Sequence, residues 1–262
     1  MIAAILLFCA LTATAQPTNR FPAAWGPPPR IETRDYRKLP GDYGFGSSTL
    51  ARWIQQHLDQ DQKGGGAMAS AKPLYQNNFE PLPVGKLPEE FMVLAGEFTV
   101  QAEGANKFVD LPGAPLDTFS FLFGPAVGAD TAVAARIFGT GKGRRFPTFA
   151  VGLGGASGWR LVVAPGKQAI ELWRDEALKA SAPFDWKSGT WTALRLQIRK
   201  LSDAAWKVEG RAWESGSAEP PAWGVSCETT DAPLTGRASV TGSPFAGTPI
   251  RFDDLVVNAA TK

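Results

Sequence analysis

Along residues 74–258, short apolar segments alternate with Gly- and Pro-rich breaks, and inside the segments apolar and polar residues alternate singly. A period of two marks a strand with one buried face. Residues 191–199 show it most clearly: Thr192, Leu194, Leu196 and Ile198 share one parity, and Trp191, Arg195, Gln197 and Arg199 the other. Residues 206–213 repeat it, with Trp206, Val208 and Ala212 inward and Lys207, Glu209, Arg211 and Trp213 outward. Residues 117–123 put Phe119, Phe121 and Phe123 on one face, and residues 131–138 set Val133, Ala135 and Ile137 against Arg136. Further strands are predicted over 91–95, 97–101, 107–111, 148–153, 159–163, 169–174 and 177–181. No helical period separates these strands, so parallel crossovers are excluded. The prediction is an all-β, two-sheet antiparallel jelly-roll sandwich.

Residues 248–258 (TPIRFDDLVVN) read as the closing strand, and residues 75–81 (YQNNFEP) as the opening segment that meets it at a seam. Ile250 and Phe252 share one parity, whereas Leu255 and Val257 take the other. That slip predicts a β-bulge at Asp253-Asp254, aiming both carboxylates at the opening segment.

The first 73 residues have a different texture. An apolar run over 2–11 followed by Ala13-Thr14-Ala15 reads as a signal peptide over 1–15, and hence as export to the periplasm, the cell surface or the medium. Residues 16–47 form a Pro- and Gly-rich leader, 48–60 a short amphipathic helix with Leu50, Trp53, Ile54 and Leu58 on one stripe, and 61–73 a flexible linker. The stripe around Trp53 would dock on the sandwich or recruit a protein partner. Residues 74–258 are the sandwich and 259–262 a tail.

Composition removes several classes. The net charge is +2, with Lys and Arg interspersed among Asp and Glu. No clustered basic face is visible, so nucleic acid is not an expected partner. No transmembrane segment is expected after signal cleavage. Loss of Cys9 with the signal would leave Cys227 as the sole cysteine, without a disulfide. The sole histidine, His57, lies far from Cys227 in sequence, which argues against a thiol–imidazole pair. The turn GTGKGRR (139–145) lacks the spacing of a phosphate loop and reads as a hairpin whose Arg144 and Arg145 could reach an acidic ligand.

Three motifs carry a resemblance: W-x-x-L-x-L-x-I at 191–198, V-x-G-x-A-W at 208–213 and G-x-P-I-x-F-D-D-L-V-V at 247–257. Together they resemble laminin-G-like members of the concanavalin A-like lectin and glucanase superfamily, in particular the bacterial 3-keto-disaccharide hydrolase type of domain, over about residues 74–258. The resemblance implies a jelly roll whose sheet face or edge loops meet carbohydrate. Laminarinase-like members carry E-x-D-x-x-E on one strand, which puts carboxylates on one face. Here ELWRDE (171–176) and EGRAWE (209–214) lack the alternate Asp, which argues against that chemistry.

Two sets of candidate residues follow. Arg136, Arg160, Glu171, Trp173, Arg195, Gln197, Glu209, Arg211 and Trp213 all oppose core positions, so on one concave sheet they would form a glycan-binding surface, with aromatic rings to stack on sugars. The alternative is an ordinary solvated face of salt-bridged cross-strand pairs. Asn78, Glu80, Asp253 and Asp254 match the seam at which some jelly-roll modules hold a structural Ca²⁺. The alternative there is a clasp of carboxylates on backbone N–H groups or arginines. The leading functional expectation is a non-catalytic carbohydrate-binding or cell-surface accessory module. A hydrolase or lyase of keto-sugars, and a protein-interaction domain, are the alternatives.

Overall fold

The computed structural model describes residues 72–113 and 116–261. The signal segment, the leader, the helix expected around Trp53 and the linker up to residue 71 lie outside the described residues. Strands are numbered along the chain. Sheet A runs in the order β14 (Val225–Thr229), β13 (Ala205–Glu214), β12 (Trp191–Ser202), β7 (Thr131–Phe138), β16 (Ile250–Ala259), β5 (Asn106–Leu111), β4 (Thr99–Glu103) and β2 (Gly85–Lys86). A ninth strand, β1 (Tyr75–Asn77), also pairs with β16. Sheet B runs β11 (Ala177–Pro183), β10 (Ala169–Arg174), β9 (Trp159–Ala164), β8 (Thr148–Leu153), β15 (Gly236–Ser243), β6 (Phe119–Val127) and β3 (Met92–Ala95). Neighbours in both sheets are antiparallel, as the single-residue alternation predicts. Among the described residues no helix is long and apolar enough to cross a membrane.

The core lies between the sheets and is built from the predicted parities. Leu194, Leu196, Ile198 and Val208 of sheet A are buried together with Leu161, Val163, Ile170 and Leu172 of sheet B. At the other end Phe121 of β6 is the hub. Its ring meets Phe98 edge-on at 4.9 Å, Phe91 at 5.7 Å and Phe252, from the opposite sheet, at 6.0 Å. Such edge-to-face pairs contribute about 0.5–1.5 kcal/mol each beyond their area burial.

Three strands escaped the sequence reading, the two-residue β2, β14 and β15, and the last of them is central. β15 (GRASVTGS) sits between β8 and β6. It carries little apolar volume because sheet A fills the space beneath it. A Cβ at Gly242 would lie 2.8 Å from Leu111 and 3.0 Å from Phe252. The bulk that marks a strand in sequence therefore belongs to its partners across the core. β14 at the edge of sheet A is short and mostly polar.

The bulge is present. The β16–β7 register shifts between Asp253 and Val256, and Asp254 adopts φ 49°. The seam is present too, since Tyr75–Asn77 pair with Val257–Leu255. The carboxylates, however, do not turn to the opening segment. β5 occupies the same edge of β16 over Ile250–Phe252, so the bulge falls between β5 and β1. Its register places Asp253 opposite Arg136 of β7, and both carboxylates engage that arginine.

Candidate functional site

The nine residues predicted to share one ligand-binding face are divided between the sheets. Arg136, Arg195, Gln197, Glu209, Arg211 and Trp213 lie on β7, β12 and β13 of sheet A. Arg160, Glu171 and Trp173 lie on β9 and β10 of sheet B. A two-sheet sandwich has two outward faces, and parity alone cannot distinguish them.

On sheet A the charges neutralise one another. Gln197 is 0% exposed and Glu209 2%, although both point away from the core. The C-terminal residues lie over Gln197, whose amide bonds the N–H, hydroxyl and carbonyl of Thr261. Glu209 accepts from Gln197 at 2.7 Å and Arg199 at 2.9 Å, and pairs with Lys207 at 3.2 Å. Burial works to raise the Glu209 carboxyl, but these donors hold it below its ordinary value. Arg195 and Arg211 share Glu219. Arg211 also donates to Pro220 O at 2.6 Å and stacks on Trp223 at 4.2 Å. The loop 215–224 thus covers this part of the sheet and neutralises its charges, although the Nε atoms of Arg195 and Arg211 are buried without a hydrogen-bond partner.

Nearer the bulge, Arg136 lies 5.3 Å over Trp191 and joins Asp253 at 2.8 Å and Asp254 at 2.6 Å. Asp253 is 1% exposed and accepts also from the Asp254 N–H at 2.7 Å and Asn106 at 3.3 Å. Burial pushes its carboxyl up to about 6 against the pull of the Asp254 N–H, Arg136 and Asn106, and the charge of Asp254 adds to the rise. Arg251 packs beside this group, over Phe108 at 4.5 Å and Phe138 at 5.3 Å. The other two seam residues have separate surroundings. Glu80 accepts from the Lys107 N–H at 3.0 Å, and Asn78 follows Asn77, whose side chain accepts from the Phe79 N–H. Among the described residues no group of three or more His, Cys, Asp or Glu converges as a metal site.

Cys227 of β14 packs against the core, and burial pushes its thiol up, which disfavours a nucleophilic thiolate.

Sheet B presents a different outward surface. Rows of small side chains cross it: Ala150 of β8 pairs Thr241 of β15 and Val162 of β9, and Thr241 pairs Ser120 of β6. The next row holds Trp173, Arg160, Gly152 and Ser239. A Cβ at Gly152 would come 2.3 Å from Ser239 Oγ, so glycine keeps this part of the floor low. Over these rows lies an open depression of about 190 Å³. Its lining includes Thr118, Thr148, Thr241, Ser243, Arg160 and Phe245. Thr118 and Ser243 hydroxyls meet at 2.8 Å across the rim, and Phe245 stands 45% exposed beside them. Trp173 and Glu171 border the site, where Trp173 Nε1 donates to Glu171 at 2.9 Å and Lys167 pairs with Glu171 at 3.0 Å. Hydroxyls, which both donate and accept, plus an exposed ring and a guanidinium, form a surface suited to a polyol with apolar faces.

Arg160 is thus the one predicted residue that lines the depression. Thr241 and Ser243 were not predicted, because their strand, β15, was not; Thr118 and Thr148 lie in segments predicted as strands but were not singled out. The signal available was the alternation S-V-T-G-S over 239–243, with small polar residues at every second position. A larger hollow of about 500 Å³ lies between β2, β3 and β4, but its lining is dominated by Leu87, Val93, Phe98 and backbone.

No family model matches the chain, and no curated protein matches its sequence. Solved structures do resemble it. A Bacillus subtilis protein of unknown function with a galectin-like fold superposes with TM-score 0.50 at 10% identity, over 74% of this chain and 98% of its own. The carbohydrate-binding module CBM66 from Bacillus subtilis gives 0.44 at 11% identity, over 68% of this chain and 100% of its own. The exoplasmic/lumenal domain of VIP36, in a Ca²⁺/Man-bound form, gives 0.47 at 12% identity, over 73% and 92%. The galectin-like match shows the fold, a two-sheet antiparallel sandwich, as the single-residue alternation predicted.

Proposed function

We propose that this domain is a carbohydrate-binding module whose site is the outward face of sheet B, and that it works outside the cytoplasm. The observation that carries the reading is the hydroxyl-lined depression over β8, β9 and β15, with Phe245 exposed at its rim. At about 190 Å³ it is smaller than the roughly 300–1,000 Å³ of pockets that engulf a ligand, so it suits one sugar unit of a chain lying across the sheet. Sheet A offers less, since its arginines and carboxylates are already paired. Placement outside the cytoplasm rests on the apolar run over 2–11 and Ala13-Thr14-Ala15.

The test is a glycan array with the wild type and Thr241→Trp. Thr241 points outward from mid-strand, where an aromatic residue is well tolerated. The substitution should fill the depression, abolish binding and leave the melting temperature within a few degrees. Retained binding by Thr241→Trp would move the site elsewhere.

One observation favours a hydrolytic or lyase reading. Asp253 is a buried carboxyl raised to about 6 beside Arg136, with Asp254 partly exposed next to it, as a general acid would be. Release of a keto-sugar from a 3-keto-disaccharide, lost in Asp253→Asn, would establish it. No release by the folded wild type would remove it.

A further inference from the structure

We infer that the saccharide bound on sheet B is anionic, carrying a carboxylate or sulfate that Arg160 receives; this rests on the carbohydrate reading above. Arg160 lacks a counter-charge of its own. On sheet A each arginine of the outward face has its acid: Arg136 has Asp253 and Asp254, Arg195 and Arg211 have Glu219, Arg199 has Glu209 and Arg251 has Glu103. Arg160 forms no ion pair among the described residues. Its Nη2 donates to the backbone carbonyl of Asp175 at 2.6 Å, and its Nε, like those of Arg195 and Arg211, is buried without a hydrogen-bond partner.

The nearby acids are otherwise engaged or outside the depression. Glu171 is held by Lys167 and Trp173. Asp117, which adjoins the lining in sequence, accepts from the Thr118 N–H at 2.7 Å. Asp175 offers Arg160 its carbonyl rather than its carboxylate. The lining itself contains no acid.

The chain that leads into the opposite end of the depression carries three cations. Lys142 and Arg145 close a tight turn through paired backbone bonds of 2.9 and 3.1 Å. Thr148 of the lining follows Arg145 by three residues, within about 10 Å of extended chain. Lys142, Arg144 and Arg145 are exposed and form no ion pair among the described residues. A guanidinium at one end, and three cations a few residues beyond the other, accompany a lining of four hydroxyl residues and the apolar Phe149, Ala150, Val162 and Phe245. A neutral sugar would use the hydroxyls and leave that charge unanswered, whereas an acidic one uses both.

The experiment is calorimetric titration of the full chain with three oligosaccharides of matched length: an oligogalacturonate, a sulfated galactan and a neutral galactan. The acidic ligands should bind at least about tenfold tighter than the neutral one, with the advantage shrinking as NaCl rises from about 50 to about 500 mM. Whichever of the two acidic ligands binds tighter identifies the anionic group. Arg160→Gln should bring the preferred acidic ligand to within about twofold of the neutral one, and Arg160→Lys should keep part of the gap. The salt dependence of the wild type needs no variant and stands even if Arg160→Gln folds poorly. Equal binding of neutral and acidic ligands overturns the anionic inference and leaves the carbohydrate reading in place. Acidic binding unchanged in folded Arg160→Gln overturns the role of Arg160. Binding of none of the three, or of any glycan on the array, overturns both readings.

Discussion

Replacing Asp253 by asparagine isolates the cost of holding a charge at the bulge. In the folded protein the Asp253 carboxyl is raised from 3.8 to about 6, chiefly by burial. A raised folded value means that the folded state binds the proton more tightly than the unfolded chain. The resulting stability is fully present below the unfolded value and is lost as pH rises through about 6. Over the whole shift it amounts to about 3 kcal/mol at 1.36 kcal/mol per unit. Between about pH 8 and about pH 5 the linkage relation gives a gain of about 1.4 kcal/mol from this group alone. Asp110, also raised by burial, acts in the same direction. Glu209, held below its ordinary value, acts oppositely, but its stability is lost only as pH falls below the ordinary carboxylate range. The amide introduced by Asp253→Asn keeps an oxygen for the Asp254 N–H and carries no titrating proton. The quantity to measure is the change in unfolding free energy between about pH 5 and about pH 8, from urea titrations followed by tryptophan fluorescence. The wild type should gain about 1.4 kcal/mol more than Asp253→Asn on acidification. His57 and Asp110 are common to both proteins and largely cancel in that difference. Equal pH slopes would refute the desolvation of Asp253, and with it any acid–base role built on it.

Two other outcomes can be checked at the bench. Asp253→Ala removes the acceptor for both the Asp254 N–H and Asn106, and should destabilise the fold by about 1–3 kcal/mol while leaving glycan affinity unchanged, because the proposed sugar site lies on the other sheet. A loss of affinity without a loss of stability would reverse that assignment. N-terminal sequencing of the protein recovered outside the cytoplasm should begin at Gln16, and an intact Met1 there would remove the signal-peptide reading.

What the sequence revealed depends on how local each feature is. The parity of 191–199 and 206–213 was legible, because an antiparallel strand with one core face writes its burial into every second residue. The bulge was legible for the same reason, since a slip in phase is local. Which sheet a strand joins is not local. Arg136 and Arg160 have the same parity relation to the core, yet they sit on opposite faces of the sandwich. The outward residues of sheet A looked wet in sequence but are covered by the loop 215–224 and by Thr261, which only tertiary structure brings there. β15 was invisible for a volumetric reason: its inward side holds Ala238, Val240 and Gly242 because Leu111, Ile250 and Phe252 fill the space opposite. The same economy of side-chain size makes its outward side a floor of small hydroxyls, so the strand hardest to read carries much of the candidate site.

The placement of β15 and β16 has a consequence for how the polypeptide matures. β15 joins β8 to β6 in the middle of sheet B, and β16 joins β7 to β5 and β1 in the middle of sheet A. Both come from residues 236–259, after β1 to β14 have been synthesised. Until then sheet B exists as two parts, and sheet A as two parts plus an unpaired β1, with open edges and no bridge. Neither half can report its errors to the other, and both present templates for pairing with other chains. Folding is therefore gated by the synthesis of residues 236–259, as the slow formation of long-range β contacts would also require. A nascent chain arrested before Gly236 would be a client for chaperones or proteases rather than a smaller version of the domain.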